Sequence, residues 1–218
     1  MVAMDPAADS GEALPPAAPG DDPRPTPTVG VVIPAGGTAR RLGGVSKPAL
    51  QVGDRSIVAR LVGDLRGFPV VVVGPRLDDV AATGVDVTWC REEPPGGGPA
   101  AALAAGLRHL TGVDVVVVIA GDQPFAARAV PRLVAALAAD PAVEVAWGVD
   151  AEDCDQPLLA AYRAPVLRAR LTTPADGLSM RQVTSGLRAA RVRLSVVEAT
   201  DVDDHGDLAD ARDRVRET

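Results

Sequence analysis

Large rings are nearly missing from this chain: two Phe, two Trp and one Tyr make up 2% of 218 residues, although 47% are hydrophobic. The core must therefore be assembled from Val, Leu, Ile and Ala, which favours helices layered on strands over a ring-filled sandwich. Cysteine is equally scarce. Cys90 and Cys154 are too few for a disulfide framework, and no CxxC or neighbouring His pattern makes them a metal site. No apolar run approaches the ~20 residues that span a bilayer, and nothing resembles a secretory signal, so no membrane partner is expected and the cytoplasm is the expected compartment. Positive charge is the minority: 22 Lys and Arg against 29 Asp and Glu leave a formal charge of -7. A field of that sign repels nucleic acid, so an anionic ligand has to be held by a local basic site.

What is present falls into two regions. Residues 1–28 are Ala, Pro, Gly and Asp with almost no branched aliphatics, a composition that cannot offset its own ordering entropy and reads as a disordered tail. Residues 29–218 are long enough for one domain with a substantial core. Short apolar runs at Val29 to Pro34, Pro69 to Val73, Val85 to Trp89 and Val113 to Ala120 have the signature of strands buried on both faces. Helical stretches lie between them, at Ser56 to Leu65, Pro99 to Leu110 and Ala127 to Ala139. Further on come a strand at Val143 to Gly148, an extended segment at Leu158 to Tyr162, a helical segment at Ser179 to Leu187, a strand at Val192 to Glu198 and a helix at Asp207 to Arg216. This alternation predicts an α/β fold: a three-layer αβα, Rossmann-like, mostly parallel doubly wound sheet. Ligands of such sheets bind beyond the carboxyl ends of the strands, so the loops leaving the apolar runs are where function is expected.

The first run leads into Ala35-Gly36-Gly37-Thr38-Ala39-Arg40-Arg41-Leu42-Gly43-Gly44-Val45-Ser46-Lys47. Paired glycines let successive amides point into one concavity and cradle a phosphate, and Arg41 and Lys47 add the charge. The loop is not a Walker A motif, because Lys47 is followed by Pro48, and the GxGxxG spacing is absent too. It resembles the signature loop of the molybdenum cofactor guanylyltransferase family, in which AGG is followed by R-[ML]-G-G-x-D-K. The family's lysine falls on Lys47, and Ser46 stands where an Asp is usual.

Two further segments match in order. Glu92-Glu93-Pro94-Pro95-Gly96-Gly97-Gly98-Pro99 resembles the family's nucleobase-contacting loop, with Glu93 as the candidate to accept from guanine, Glu92 as the alternative, and Gly98 beside the ring. Gly121-Asp122-Gln123-Pro124-Phe125 resembles its x-D-x-P-[FY] motif, which makes Asp122 the expected magnesium ligand. Near the end, Asp201 and Asp203 occupy alternating positions of the closing loop; Asp203 is the expected second carboxylate near the metal, while an acidic helix start offers a competing explanation. Asp155 and Gln156 resemble the acceptor-side segment and equally suit a turn. His109 and His205 have no partner pattern and read as surface or capping residues.

The resemblance implies transfer of GMP from GTP to the phosphate of molybdopterin, with release of pyrophosphate and a requirement for Mg2+. Lys47 and Arg41 would be the catalytic cations. Ala35, Gly36, Gly37, Lys47, Glu93, Gly98 and Asp122 would bind the nucleotide, Asp122 and Asp203 the metal, and Asp155 and Gln156 the acceptor. Transient contact with molybdoenzymes or other cofactor-biosynthesis proteins would follow from such a product. A cytidylyltransferase or another small-molecule NTP transferase is the alternative within the same fold, and a nucleotide-binding regulatory protein without catalysis is the alternative outside enzymes.

Overall fold

The computed structural model describes residues 26–36, 38, 39, 44–171, 175 and 177–216. Residues 1–25 of the expected tail lie outside the described residues. Its last residue, Thr28, belongs to the folded domain: the Thr28 amide and hydroxyl donate to the Asp114 carboxylate at 2.9 and 2.7 Å, and the Thr28 carbonyl accepts from Asp114 and Val115.

The described residues form eleven strands and six α-helices. The main sheet contains β1 (Val29–Pro34), β6 (Val70–Val73), β7 (Val87–Cys90), β8 (Val115–Ile119), β9 (Val145–Val149), β10 (Asp155–Arg163) and β11 (Ala189–Arg193). Two short ribbons, β2 (Thr38–Ala39) with β3 (Val45–Ser46) and β4 (Gln51–Val52) with β5 (Arg55–Ser56), decorate the first crossover. The helices are α1 (Ile57–Asp64), α2 (Gly98–Leu107), α3 (Val130–Ala139), α4 (Ala164–Arg170), α5 (Met180–Thr184) and α6 (His205–Arg216). Strand order is β11-β9-β10-β8-β1-β6-β7. Every neighbouring pair is parallel except those of β10, which runs antiparallel to both β8 and β9. The three-layer, mostly parallel sheet expected from the alternating pattern is the architecture observed.

The period-two geometry of strands explains how apolar runs serve two cores. Val31, Ile33, Val70, Val72, Val117 and Ile119 face one side, against Leu61 of α1, Leu133 of α3 and Leu208 of α6. Val32, Val71, Val73, Val116 and Val118 face the other, against Leu103 of α2, Leu167 of α4 and Val183 of α5. Aliphatic side chains dominate both layers, and α2 comes close to the sheet. A Cβ on Gly106 would lie 2.6 Å from Val32 Cγ1, so glycine is what permits that approach.

The carboxyl half of the chain departs from expectation in two places. The strand expected at Val192 to Glu198 is instead Ala189–Arg193, beside β9 at the sheet edge. Ser195 to Glu198 forms a local turn in which the Glu198 carboxylate accepts from the Ser195 amide and hydroxyl, both at 2.8 Å. An edge strand with exposed arginines carries little apolar signal, whereas Leu194, Val196 and Val197 mimic a strand while following one. Helix α4 has no counterpart in the sequence pattern: it has only seven residues, too short for a clear periodicity.

The chain leaves β1 for β6 on one side and later places β8 on the other, so β1 and β8 flank the point where strand order reverses. A crevice opens there by construction.

Candidate active site

Three loops meet at this crevice. The one after β1 is packed tightly at its root: a Cβ on Gly74 would lie 2.6 Å from the Ala35 carbonyl oxygen, and one on Gly121 would lie 2.8 Å from that of Pro34. Ala35 is thus seated between two glycines at the ends of β6 and β8, with its amide donating to Val73 at 2.7 Å. Gly36 follows at the lip. Gly37 and Arg41 lie outside the described residues, and the chain re-enters through β3 to a single helical turn, Lys47–Ala49, whose Pro48 is buried and anchors Lys47.

The Lys47 ammonium is the focus of the site. It lies 3.4 Å from Asp122 Oδ2 and also pairs with Asp203 Oδ1. These three residues come from the loops after β1 and β8 and from the approach to α6, with Asp122 and Asp203 standing 75 and 156 positions from Lys47 in the chain. The last two loops are coupled through the backbone, the Val202 amide donating to the Asp122 carbonyl at 3.1 Å. Partial burial pulls the Lys47 ammonium downward, but the hydrogen bond to Asp203 and the fields of Asp122 and Asp203 together raise it above the ordinary lysine value. Asp201 stands close by. Burial, then the negative fields of Asp203 and Asp122, hold its carboxyl above the usual range.

The acidic start of α6 divides its labour. Asp204 accepts from the Gly206 and Asp207 amides at 2.7 and 3.2 Å, and Asp207 accepts from the Asp203 and Asp204 amides at 2.9 Å. Those two carboxylates cap the helix. The Asp203 carboxylate turns to Lys47 instead, so the helix-start explanation accounts for Asp204 and Asp207 but not for Asp203.

Lys47 and Asp122 line a cleft of about 530 Å³ whose other walls include Gly36, Glu92, Gly98 and Leu158. That volume is in the range of small-molecule sites. Gly96 and Gly98 take φ values of 84° and 86°, which only glycine adopts freely, and they bend the chain into α2 with Pro99 in its first turn. Glu92 accepts from the Gly96 amide at 3.1 Å, and a Cβ on Gly36 would lie 3.6 Å from its Oε1. The sequence names Glu93 first here, with Glu92 as the alternative, and the two are placed differently. Glu93 is exposed and is not among the lining residues, whereas the half-buried Glu92 is, because its bond to the Gly96 amide folds it back over the loop.

Asp155 and Gln156, expected on the acceptor side, do not join the cleft. Asp155 accepts from Arg191 Nε of β11 at 2.8 Å, tying β10 to the edge strand, and the Gln156 amide donates to Asp150 at 2.6 Å across the β9–β10 hairpin. What β10 contributes to the cleft is Leu158, a residue the sequence alone does not distinguish from core. Among the described residues no group of three or more His, Cys, Asp or Glu side chains is arranged to hold a metal. Asp122 and Asp203 nevertheless converge on one cation, the Lys47 ammonium. Two carboxylates sharing a point charge suit magnesium, which takes one or two carboxylates and fills its remaining positions with water and phosphate oxygens.

Several solved structures share this fold. Molybdopterin-guanine dinucleotide biosynthesis protein A from Archaeoglobus fulgidus is 19% identical, with a TM-score of 0.68 over 86% of this chain and 99% of that one. Rv0371c from Mycobacterium tuberculosis H37Rv is 22% identical, with a TM-score of 0.64 over 86% and 99%. The 2-C-methyl-D-erythritol 4-phosphate cytidylyltransferase of Thermus thermophilus is 20% identical, with a TM-score of 0.65 over 87% and 99%. No curated protein matches the chain. The family model of the MobA-like NTP transferase domain matches residues 31–192, spanning the loop after β1, the loop before α2 and Asp122, and on that match the chain belongs to the MobA-like NTP transferase domain family.

Proposed function

We propose that this protein transfers GMP from GTP to the phosphate of molybdopterin, forming a guanine dinucleotide and releasing pyrophosphate. The observation that carries the reading is the convergence of Lys47, Asp122 and Asp203, with Lys47 and Asp122 lining a cleft that a further carboxylate, Glu92, also lines. Guanine offers adjacent N–H donors on one edge, and a carboxylate accepts both.

The reaction forms a bond from an acceptor phosphate oxygen to the α-phosphorus and breaks the bond from that phosphorus to the oxygen that bridges it to the β-phosphorus. The attacking oxygen is already an anion, so no enzyme nucleophile is needed. The chain's task is to align two anions and offset their repulsion. Lys47 stabilises charge on the triphosphate, with Arg41 assisting, and the amides of Gly36 and Gly37 cradle the phosphates. Gly98 lets the backbone approach the base. Asp122 and Asp203 would hold Mg2+, which would supply further charge neutralisation of the triphosphate.

The test is a thermal-shift panel of GTP, CTP, ATP and UTP with Mg2+, followed by pyrophosphate release on adding molybdopterin. GTP is expected to give the largest shift and pyrophosphate to appear with GTP. The structural relatives include a cytidylyltransferase, so a larger shift and turnover with CTP would overturn the guanylyl assignment. Binding without pyrophosphate release would overturn catalysis.

A further inference from the structure

Lys47 sits where two functions conflict. Its ammonium lies 3.4 Å from Asp122 and is paired with Asp203, and its side chain is only 16% exposed. The proposed magnesium ligands are those same two carboxylates. An ammonium seated on one oxygen of each carboxylate repels a divalent cation brought to the same pair, so metal binds there more weakly while Lys47 stays in place.

Resting on the function proposed above, we propose that Lys47 is a built-in occupant of the cation seat, so that the nucleotide-free protein excludes divalent metal until a triphosphate draws the ammonium away. Lys47 is suited to this double duty because it carries a mobile point charge on a flexible stem. The triphosphate wall lies within the same cleft, which Gly36 and the start of α2 line together with Asp122. Moving from the carboxylates to the phosphates exchanges one set of anionic partners for another, so the ammonium is never left uncompensated. Loading of the two ligands is then positively coupled through one residue, and by linkage the coupling is reciprocal. The device guards against idle metal binding and makes the metal–nucleotide pair, rather than either ligand alone, the species the site accepts.

Removing Lys47 is therefore expected to weaken the triphosphate and to strengthen the divalent cation. Mn2+ binding to the nucleotide-free full chain is measured by electron paramagnetic resonance at fixed pH for wild type, Lys47→Met, Lys47→Arg and the double variant Lys47→Met/Asp122→Asn. Lys47→Met is expected to bind Mn2+ at least about tenfold tighter than wild type, within the usual range of site-to-site coupling. Lys47→Arg, which keeps the charge, should bind as weakly as wild type, and the double variant should lose the gain. Equal Mn2+ affinity in wild type and Lys47→Met, with circular dichroism showing both folded, overturns the proposal. So does tighter binding by wild type. Should Lys47→Met fail to fold, Lys47→Gln decides by the same measurement: Mn2+ affinity at least about tenfold above wild type supports the proposal, and affinity no tighter than wild type overturns it. The nucleotide panel on wild type reports separately on the parent reading, because its failure leaves the Mn2+ comparison interpretable.

Discussion

Replacing Gly74 by alanine, at the end of β6, should damage the site from a position that touches no ligand. The new Cβ would lie 2.6 Å from the Ala35 carbonyl oxygen and 2.8 Å from its carbon, where ordinary contact begins at 3.4 Å. Both neighbours are backbone, so relief requires Ala35 to move by about 0.8 Å, away from a position fixed by its hydrogen bond to Val73. Overpacking of this kind costs about 1–3 kcal/mol, which for a chain of this size lowers Tm by roughly 2–12 °C. The displaced residue leads directly into Gly36, so turnover should fall further than the loss of folded protein explains. Misplacement near 1 Å costs on the order of a hundredfold. Gly63→Ala is the control. Its Cβ would meet only the flexible end of Arg55 at 3.3 Å, and alanine within α1 should be neutral or add up to ~1 kcal/mol. Urea denaturation and initial rates of pyrophosphate release check both variants. Wild-type stability and turnover in Gly74→Ala, or equal damage from Gly63→Ala, would refute the claim that the loop after β1 is held by close packing at its root.

Other substitutions address other parts of the site and the fold. Lys47→Ala and Asp122→Ala should each lower turnover at least about a hundredfold, the scale of one lost electrostatic contact in the transition state, as read from pyrophosphate release by folded protein. Glu92→Gln should weaken GTP roughly ten- to a hundredfold while sparing CTP, seen as separate KM values, since only guanine presents donors that need both carboxylate oxygens. Glu198 has its carboxyl held low: burial alone would raise it, but bonds from Arg132 at 2.5 Å and from Ser195 outweigh that. A depressed carboxylate stabilises the fold fully above its unfolded value of 4.5 and progressively less as pH falls below it. Wild type should therefore lose stability more steeply than Glu198→Gln as pH falls below 4.5, as measured by urea denaturation; parallel pH profiles would contradict this.

The parts of this architecture that can be read in the sequence are those set by local rules. Val29 to Pro34 and Val115 to Ile119 are apolar without alternation because both sheet faces are covered, and that burial is written in consecutive residues. Lys47 and Asp122 lie in the loops that leave such runs, so strand context locates them. Asp203 is legible through its spacing from Asp201, but its separation from the capping role of Asp204 and Asp207 depends on side-chain direction, which spacing does not determine. Glu92 and Glu93 differ by one residue in an irregular segment, where no periodicity assigns a face. Asp155 and Gln156 are polar, adjacent to a strand and near the rim, yet their partners Arg191 and Asp150 are brought to them by the pairing of β9, β10 and β11. Such long-range pairings have no local signature. The Arg-bearing edge strand β11 is hard to place from sequence for a related reason: exposure removes the apolar pattern that makes the central strands clear.

The central claim is that one cleft gathers the amide cradle after β1, the Lys47 ammonium and the carboxylates of Asp122 and Asp203 around a single triphosphate. Crystals grown with GTP and Mg2+ test it directly. The account predicts phosphate density over the Gly36 amide and within hydrogen-bonding reach of Lys47 Nζ, with the base beside Glu92. Nucleotide density elsewhere, such as the groove lined by Arg66 and His109 at the opposite end of the sheet, with the Lys47 cleft empty, would contradict it.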